Sequence, residues 1–116
     1  MAFLYQIRAD GMVIEHREIG DEPVVVGRGH GADLEVDDRR LSRAHFVVAR
    51  EGDAFIVRDL NSTNGTWVHG RRVSAVLLKP HDHIGAGRTR FLFEPGLTTA
   101  MEALEGSRAG DTEIMA

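Results

Sequence analysis

The sequence predicts an all-β fold, a two-sheet antiparallel β-sandwich of ten to eleven short strands. Three observations carry it. Core-type apolar residues recur with a period of two through most of the chain, as at Leu34 and Val36, Phe46 and Val48, and Phe55 and Val57. Turn-forming Gly, Asp, Asn and Pro interrupt that alternation every few residues, which leaves little room for helices. At 116 residues the chain has length for one domain, with apolar content of 42% to fill one core.

Each element follows in order. Phe3 to Arg8 and Met12 to Glu18 flank Asp10-Gly11, a dipeptide suited to a tight hairpin turn with positive φ. Pro23 opens a third strand, Val24 to Val26, and a fourth, Leu34 to Val36, follows the glycine-rich segment Gly27 to Gly31. His45 to Arg50 and Ala54 to Arg58 form a second hairpin across Glu51-Gly52-Asp53, with Phe46, Val48, Phe55 and Val57 directed into the core. Thr66 to Val68, Arg72-Val73, His83-Ile84 and Arg90 to Glu94 bring the count to about ten. Residues 1–96 form the folded domain and residues 97–116 an acidic tail, in which Thr99 and Glu102 have capping-box spacing for one short helical turn before Gly106.

Charge narrows the function. The net charge is -4, but residues 1–96 hold 13 basic and 14 acidic side chains, whereas residues 97–116 hold 1 and 4. A nearly neutral body argues against general nucleic-acid binding, which needs a basic surface to neutralise phosphates. With no cysteine, disulfides and thiolate metal sites are ruled out. Arg8 interrupts the N-terminus before an apolar signal core can form, and no run approaches the roughly 20 apolar residues of a membrane-spanning helix. The expectation is a soluble cytoplasmic protein without membrane contact, with Met1 as its natural start.

Three loop segments carry phosphate-type donors: Gly27-Arg28, Leu41-Ser42-Arg43-Ala44-His45, and Asp59 to Gly70. Arg28 at a strand end can present two parallel guanidinium hydrogen bonds to an oxyanion. Ser42 can donate a hydroxyl bond, and Asn64 in the Asn64-Gly65 turn can both donate and accept. Singly, each is better explained as a surface charge or a turn residue bonding its own backbone. Jointly, they gather anion donors at the ends of strands.

In their order and spacing these segments, with a later Asp82-x-Ile84-x-x-Gly87, resemble the forkhead-associated (FHA) domain, a phosphothreonine-reading β-sandwich of the SMAD/FHA type. The resemblance covers roughly residues 3 to 94. It implies that Arg28, Ser42 and Arg43 contact the phosphate, that Thr63 holds the phosphate or the threonine, and that Asn64 bonds the peptide main chain. It also implies that Gly27, His45 and Gly65 support the site and that Arg40, in the loop before Ser42, contributes to sequence selectivity. The implied partner is a phosphothreonine-containing protein, a Ser/Thr kinase or its substrate. No catalytic residue, cofactor or metal is implied.

Other patterns weigh less. His81 and His83 alternate on one face, but two histidines without a third ligand make a poor metal site. Ser42, His45 and Asp59 invite a hydrolase triad, yet Ser42 and His45 sit only three apart across a loop boundary with no nucleophile elbow. The Gly27–Gly31 segment lacks dinucleotide spacing and a following helix. His69 stands where the family commonly has asparagine and His81 where it has glycine, which puts the local turn geometry at issue. Two functional classes remain: a phosphothreonine reader in Ser/Thr-kinase-dependent signalling, and a phosphate-independent interaction scaffold built on the same sandwich. The acidic tail adds one possibility for the first, self-association through a phosphorylated Thr98, Thr99 or Thr112.

Overall fold

Eleven strands make two sheets in the computed structural model, which describes residues 2–95. The strands are β1 (Ala2–Ile7), β2 (Val13–Ile19), β3 (Val24–Gly27), β4 (Leu34–Glu35), β5 (Phe46–Glu51), β6 (Ala54–Asp59), β7 (Thr66–Val68), β8 (Arg71–Val73), β9 (Ala75–Leu77), β10 (His83–Ala86) and β11 (Thr89–Pro95). One sheet has the order β2-β1-β11-β10-β7-β8 and the other β4-β3-β5-β6-β9. The helical turn expected after Thr99 and the tail threonines lie outside the described residues.

Both predicted hairpins form, with one correction of turn type. Gly11 takes φ 91°, while Asp10 stays out of the left-handed region. The Gly11 N–H donates to Arg8 O at 2.8 Å, and the register slips between Gln6 and Ile7. This is a turn closed by a bulge at glycine in place of a two-residue hairpin turn, because only Gly11 lacks the Cβ that opposes positive φ. Two further departures concern pairing. β4 runs parallel to β3, so the second sheet is mixed. β9 was not expected, since the apolar run Ala75 to Leu78 has no alternation to mark it as a strand.

The core is what holds the sheets together. Leu4, Val26, Phe46, Val48, Val57, Ile84 and Phe91 are fully buried between them. Phe46 of β5 meets Phe91 of β11 edge-on with ring centres 5.3 Å apart, and Phe55 of β6 meets Phe93 of β11 at 5.2 Å. Each aromatic pair contributes about 0.5–1.5 kcal/mol beyond its buried area and fixes how the sheets stack. Of the four predicted core residues, Phe55 is only partly buried against the cluster; the other three are in its interior.

Strand register also decides which loops become neighbours. Val26 of β3 lies opposite Phe46 of β5, and Phe46 lies opposite Asp59 of β6. The end of β3, the start of β5 and the end of β6 therefore share one end of the sandwich. Gly27-Arg28, Leu41 to His45 and Asp59 to Gly65 are brought together there.

Candidate functional site

Gly27 lets the first two segments touch. A Cβ at that position would overlap the backbone carbonyls of Arg43 and Ser42, so only glycine allows the close approach. Across the gap Arg28 N–H donates to Ser42 O and Gly29 N–H to Arg43 O, both at 3.1 Å. The Arg28 side chain is anchored by its Nε, which donates to Leu41 O at 2.7 Å. Among the described residues its two terminal nitrogens make no protein hydrogen bond, so the forked end of the guanidinium is free. Arg28 and Arg43 line one open depression of about 680 Å³ together with Gly29, His30 and Gly31.

Ser42 is the junction of the cluster. Its N–H donates to Nδ1 of the buried His45 at 3.0 Å, while His45 Nε2 donates to Gly65 O at 2.8 Å. Accepting at one ring nitrogen and donating at the other, the imidazole is a neutral strut between two loops. Ser42 Oγ accepts the Thr63 N–H at 3.1 Å, which leaves the hydroxyl proton available to an outside acceptor.

The third segment is shaped by Asp59. Its Oδ1 accepts the hydroxyls of Ser62 at 2.5 Å and Thr66 at 2.7 Å, and its Oδ2 accepts Ser62 N–H at 3.0 Å. Ser62 Oγ in turn accepts the Gly65 N–H at 3.0 Å. Burial pushes the Asp59 carboxyl up, but the Ser62 and Thr66 hydrogen bonds outweigh it and hold it below the usual carboxylate value. Gly65 closes the turn at φ 88°, with Arg72 packed where a Cβ would stand. Thr63 and Asn64 are thereby held outward. Asn64 Nδ2 donates to Arg40 O at 2.8 Å, and among the described residues no donor bonds its side-chain oxygen Oδ1.

The nine residues singled out in the sequence thus meet at one end, in two linked groups. Arg28 and Arg43 share the depression; Ser42 and Thr63 are joined directly, with Asn64 tied to the backbone of Arg40. Gly27, His45 and Gly65 connect the segments by close approach and hydrogen bonding.

Sequence reasoning missed two residues that organise this arrangement. Asp59 had a signal, since Asp59-x-x-Ser62 is the spacing of a side chain that bonds the backbone of its own turn. Asp38 had none. Its Oδ2 accepts Arg88 N–H at 2.8 Å and the Thr89 hydroxyl at 2.7 Å, fifty residues away in sequence, and its Oδ1 accepts Arg40 N–H at 2.9 Å. Burial opposes ionisation of Asp38, but the bonds from Thr89, Arg40 and Arg88 prevail and lower its pKa. This pins the loop that carries Arg40 to the β10–β11 turn, where Gly87 at φ 59° leaves room for Leu41 and Asp38.

The two histidine substitutions preserve their turns at some cost. His69 and His81 take φ 54° and 70°, the left-handed region in which asparagine and glycine are at ease. The strain is roughly 1–2 kcal/mol each. Each ring donates to a carboxylate, His69 Nε2 to Asp82 at 2.9 Å and His81 Nδ1 to Glu94 at 2.7 Å. Ser42, His45 and Asp59 are also occupied structurally: His45 takes the Ser42 backbone N–H, and Asp59 faces Ser62 and Thr66.

The mixed two-sheet sandwich collects its polar donors on loops at one end. Residues 24–87, more than half of the chain, match the FHA domain family model, and the chain belongs to that family. It is 37% identical over 70 residues to the transcriptional regulatory protein EmbR of Mycobacterium tuberculosis, which covers 60% of this chain and 18% of EmbR. It is 33% identical over 78 residues to the oxoglutarate dehydrogenase inhibitor of Corynebacterium jeikeium, covering 67% of this chain and 54% of that protein. The chain thus spans about a fifth of one relative and about half of the other. The structure of Mycobacterium tuberculosis EmbR in complex with a low-affinity phosphopeptide superposes with TM-score 0.67 at 32% identity, over 80% of this chain and 24% of that one. The FhaA FHA domain complexed with the intracellular domain of Rv3910 superposes with TM-score 0.68 at 29% identity, over 81% of this chain and all of that one. Among the described residues no helix is long and apolar enough to cross a membrane.

Proposed function

We propose that this chain reads phosphothreonine on a protein partner, with Arg28, Ser42, Arg43, Thr63 and Asn64 as the contacts and no catalytic step. The observation that carries the reading is the junction at Ser42. One serine holds the Arg28 backbone, the His45 ring and the Thr63 backbone, and still has a hydroxyl proton to give away. A phosphothreonine brings a charge of about -1.5 to -2 and three strong acceptor oxygens. The free fork of Arg28, the Arg43 guanidinium and the Ser42 and Thr63 hydroxyls complement those oxygens, while Asn64 Oδ1 accepts a peptide N–H beside the modified residue. EmbR and FhaA, both similar to this chain, have been seen bound to a phosphopeptide and to a partner's intracellular domain.

The partner is then a Ser/Thr kinase or its substrate, met in the cytoplasm. Residues 1–96 are the reading domain and 97–116 its acidic tail. Arg40 sits in a second depression with Asp37, Asp38, Arg39 and Arg88, where the residues flanking the phosphothreonine can be tested for charge.

Trp67, the sole tryptophan, offers the measurement, because its Nε1 donates to Asn64 O at 3.3 Å. Titration with a degenerate phosphothreonine peptide library shifts its fluorescence, and isothermal titration gives the affinity. Arg28→Ala weakens binding by roughly 10- to 150-fold, the loss of one charged hydrogen-bonding group. Equal affinity of wild type and Arg28→Ala, or equal binding of the unphosphorylated library, favours the phosphate-independent scaffold instead.

A further inference from the structure

We propose that two copies of this chain associate through β2, pairing edge to edge into one continuous sheet. Among the described residues β2 hydrogen-bonds only to β1, so alternate residues of this seven-residue strand present their backbone donors and acceptors at its outer rim. Residues 13–18 are all exposed, and Val13 and Ile14 keep more than half of their surface in solvent. Edges of this kind are usually blocked by charges, and β2 does carry Glu15, Arg17 and Glu18. Their order, however, is self-complementary. In an antiparallel pairing with His16 on the two-fold axis, Glu15 lies opposite Arg17 of the second copy and Arg17 opposite its Glu15. Ile14 then lies opposite the aliphatic stem of Glu18, twice. Moving the axis to Glu15 or to Arg17 sets two like charges face to face, which cross-strand pairing disfavours.

The charge pattern therefore selects both the partner and the register. A twofold axis through a residue keeps each copy's outer face on the same side, so the row of His16 and Tyr5, whose rings lie 6.0 Å apart, continues into the second copy. β2 is at the opposite edge of its sheet from β7 and β8, beside which Thr63 and Asn64 lie. The pairing leaves both reading ends open, and a protein phosphorylated at two sites could engage them together.

The experiment uses the full chain, treated with phosphatase so that tail phosphorylation plays no part, in sedimentation equilibrium over a concentration series. Wild type shows concentration-dependent dimer. R17E, which leaves Glu15 facing a glutamate, and E15R, which leaves Arg17 facing an arginine, each weaken self-association about tenfold or more, since two pairs turn from attraction to repulsion together. Mixing R17E with E15R restores association, because every Glu–Arg pair reappears in the mixed dimer. Circular dichroism and phosphothreonine-peptide affinity of both variants stay at wild-type values. A wild type that remains monomeric throughout the series, or a mixture that associates no better than either variant alone, overturns the proposal.

Discussion

Asp10 and Asp59 each close a turn by accepting a backbone N–H two or three residues ahead, Met12 in one case and Ser62 in the other, both at 3.0 Å. The local chemistry is the same and the consequences differ. Asp10 is exposed at the tip of the β1–β2 hairpin, and its other partner is the exposed Arg8 at 2.7 Å. Asp59 is half-buried at the end of β6 and reaches through Ser62 and Thr66 to Gly65, and from there the bond to His45 continues to Ser42. One aspartate shapes a hairpin; the other aligns a site. What separates them is how many otherwise unpaired buried groups depend on each carboxylate.

The sharpest way to break this contrast is Asp59→Ala. It leaves two hydroxyls and a backbone N–H without their acceptor, at a cost of roughly 2–4 kcal/mol. For a domain of this size that lowers the melting temperature by roughly 10–25 °C in calorimetry. Phosphopeptide affinity falls as well, since Thr63 and Asn64 lose their support.

Next comes Asp38→Ala, which unpins the Arg40 loop from Arg88 and Thr89. A loss of about 1–2 kcal/mol in urea unfolding is expected, with weaker peptide binding but less change than at Asp59. Acid titration tests the same two residues without mutation. Both carboxyls are lowered from a value of 3.8. Their contribution is complete above that unfolded value and disappears as pH falls through the lower folded one. The urea midpoint of wild type should therefore drop below pH 3.8 more steeply than that of Asp59→Ala.

The smallest effect belongs to Asp10→Ala. Its carboxyl is also lowered, by the Arg8 hydrogen bond first and the Met12 N–H second, but the pair is in full contact with solvent and salt. No measurable change in melting temperature at physiological salt is expected, nor any change in peptide affinity. A shift comparable to that of Asp59→Ala would show that burial is not what distinguishes the two turns.

Much of this was legible in the linear chain because it is local. The Glu51-Gly52-Asp53 hairpin, the alternation in β5 and β6 and the donors at Arg28, Ser42 and Asn64 each depend on a few consecutive residues. Non-local features were not legible. Nothing within Ala75 to Leu77 marks β9 until β6 supplies its partner, and nothing near Asp38 points to Thr89. The positive φ at His69 and His81 reverses a local preference, and only the surrounding sandwich can impose it.

Composition, period and turn chemistry, which act over short range, by themselves pointed to the fold class; the order of the loop motifs carried the family resemblance, and that resemblance supplied the candidate contacts. Tertiary structure alone decided that β3, β5 and β6 end side by side, which backbone carbonyls a side chain at Gly27 would strike, and which groups His45 joins as a strut. Those outcomes depend on sheet register and on which groups are removed from water together, and neither quantity exists until the two sheets close on Phe46 and Phe91.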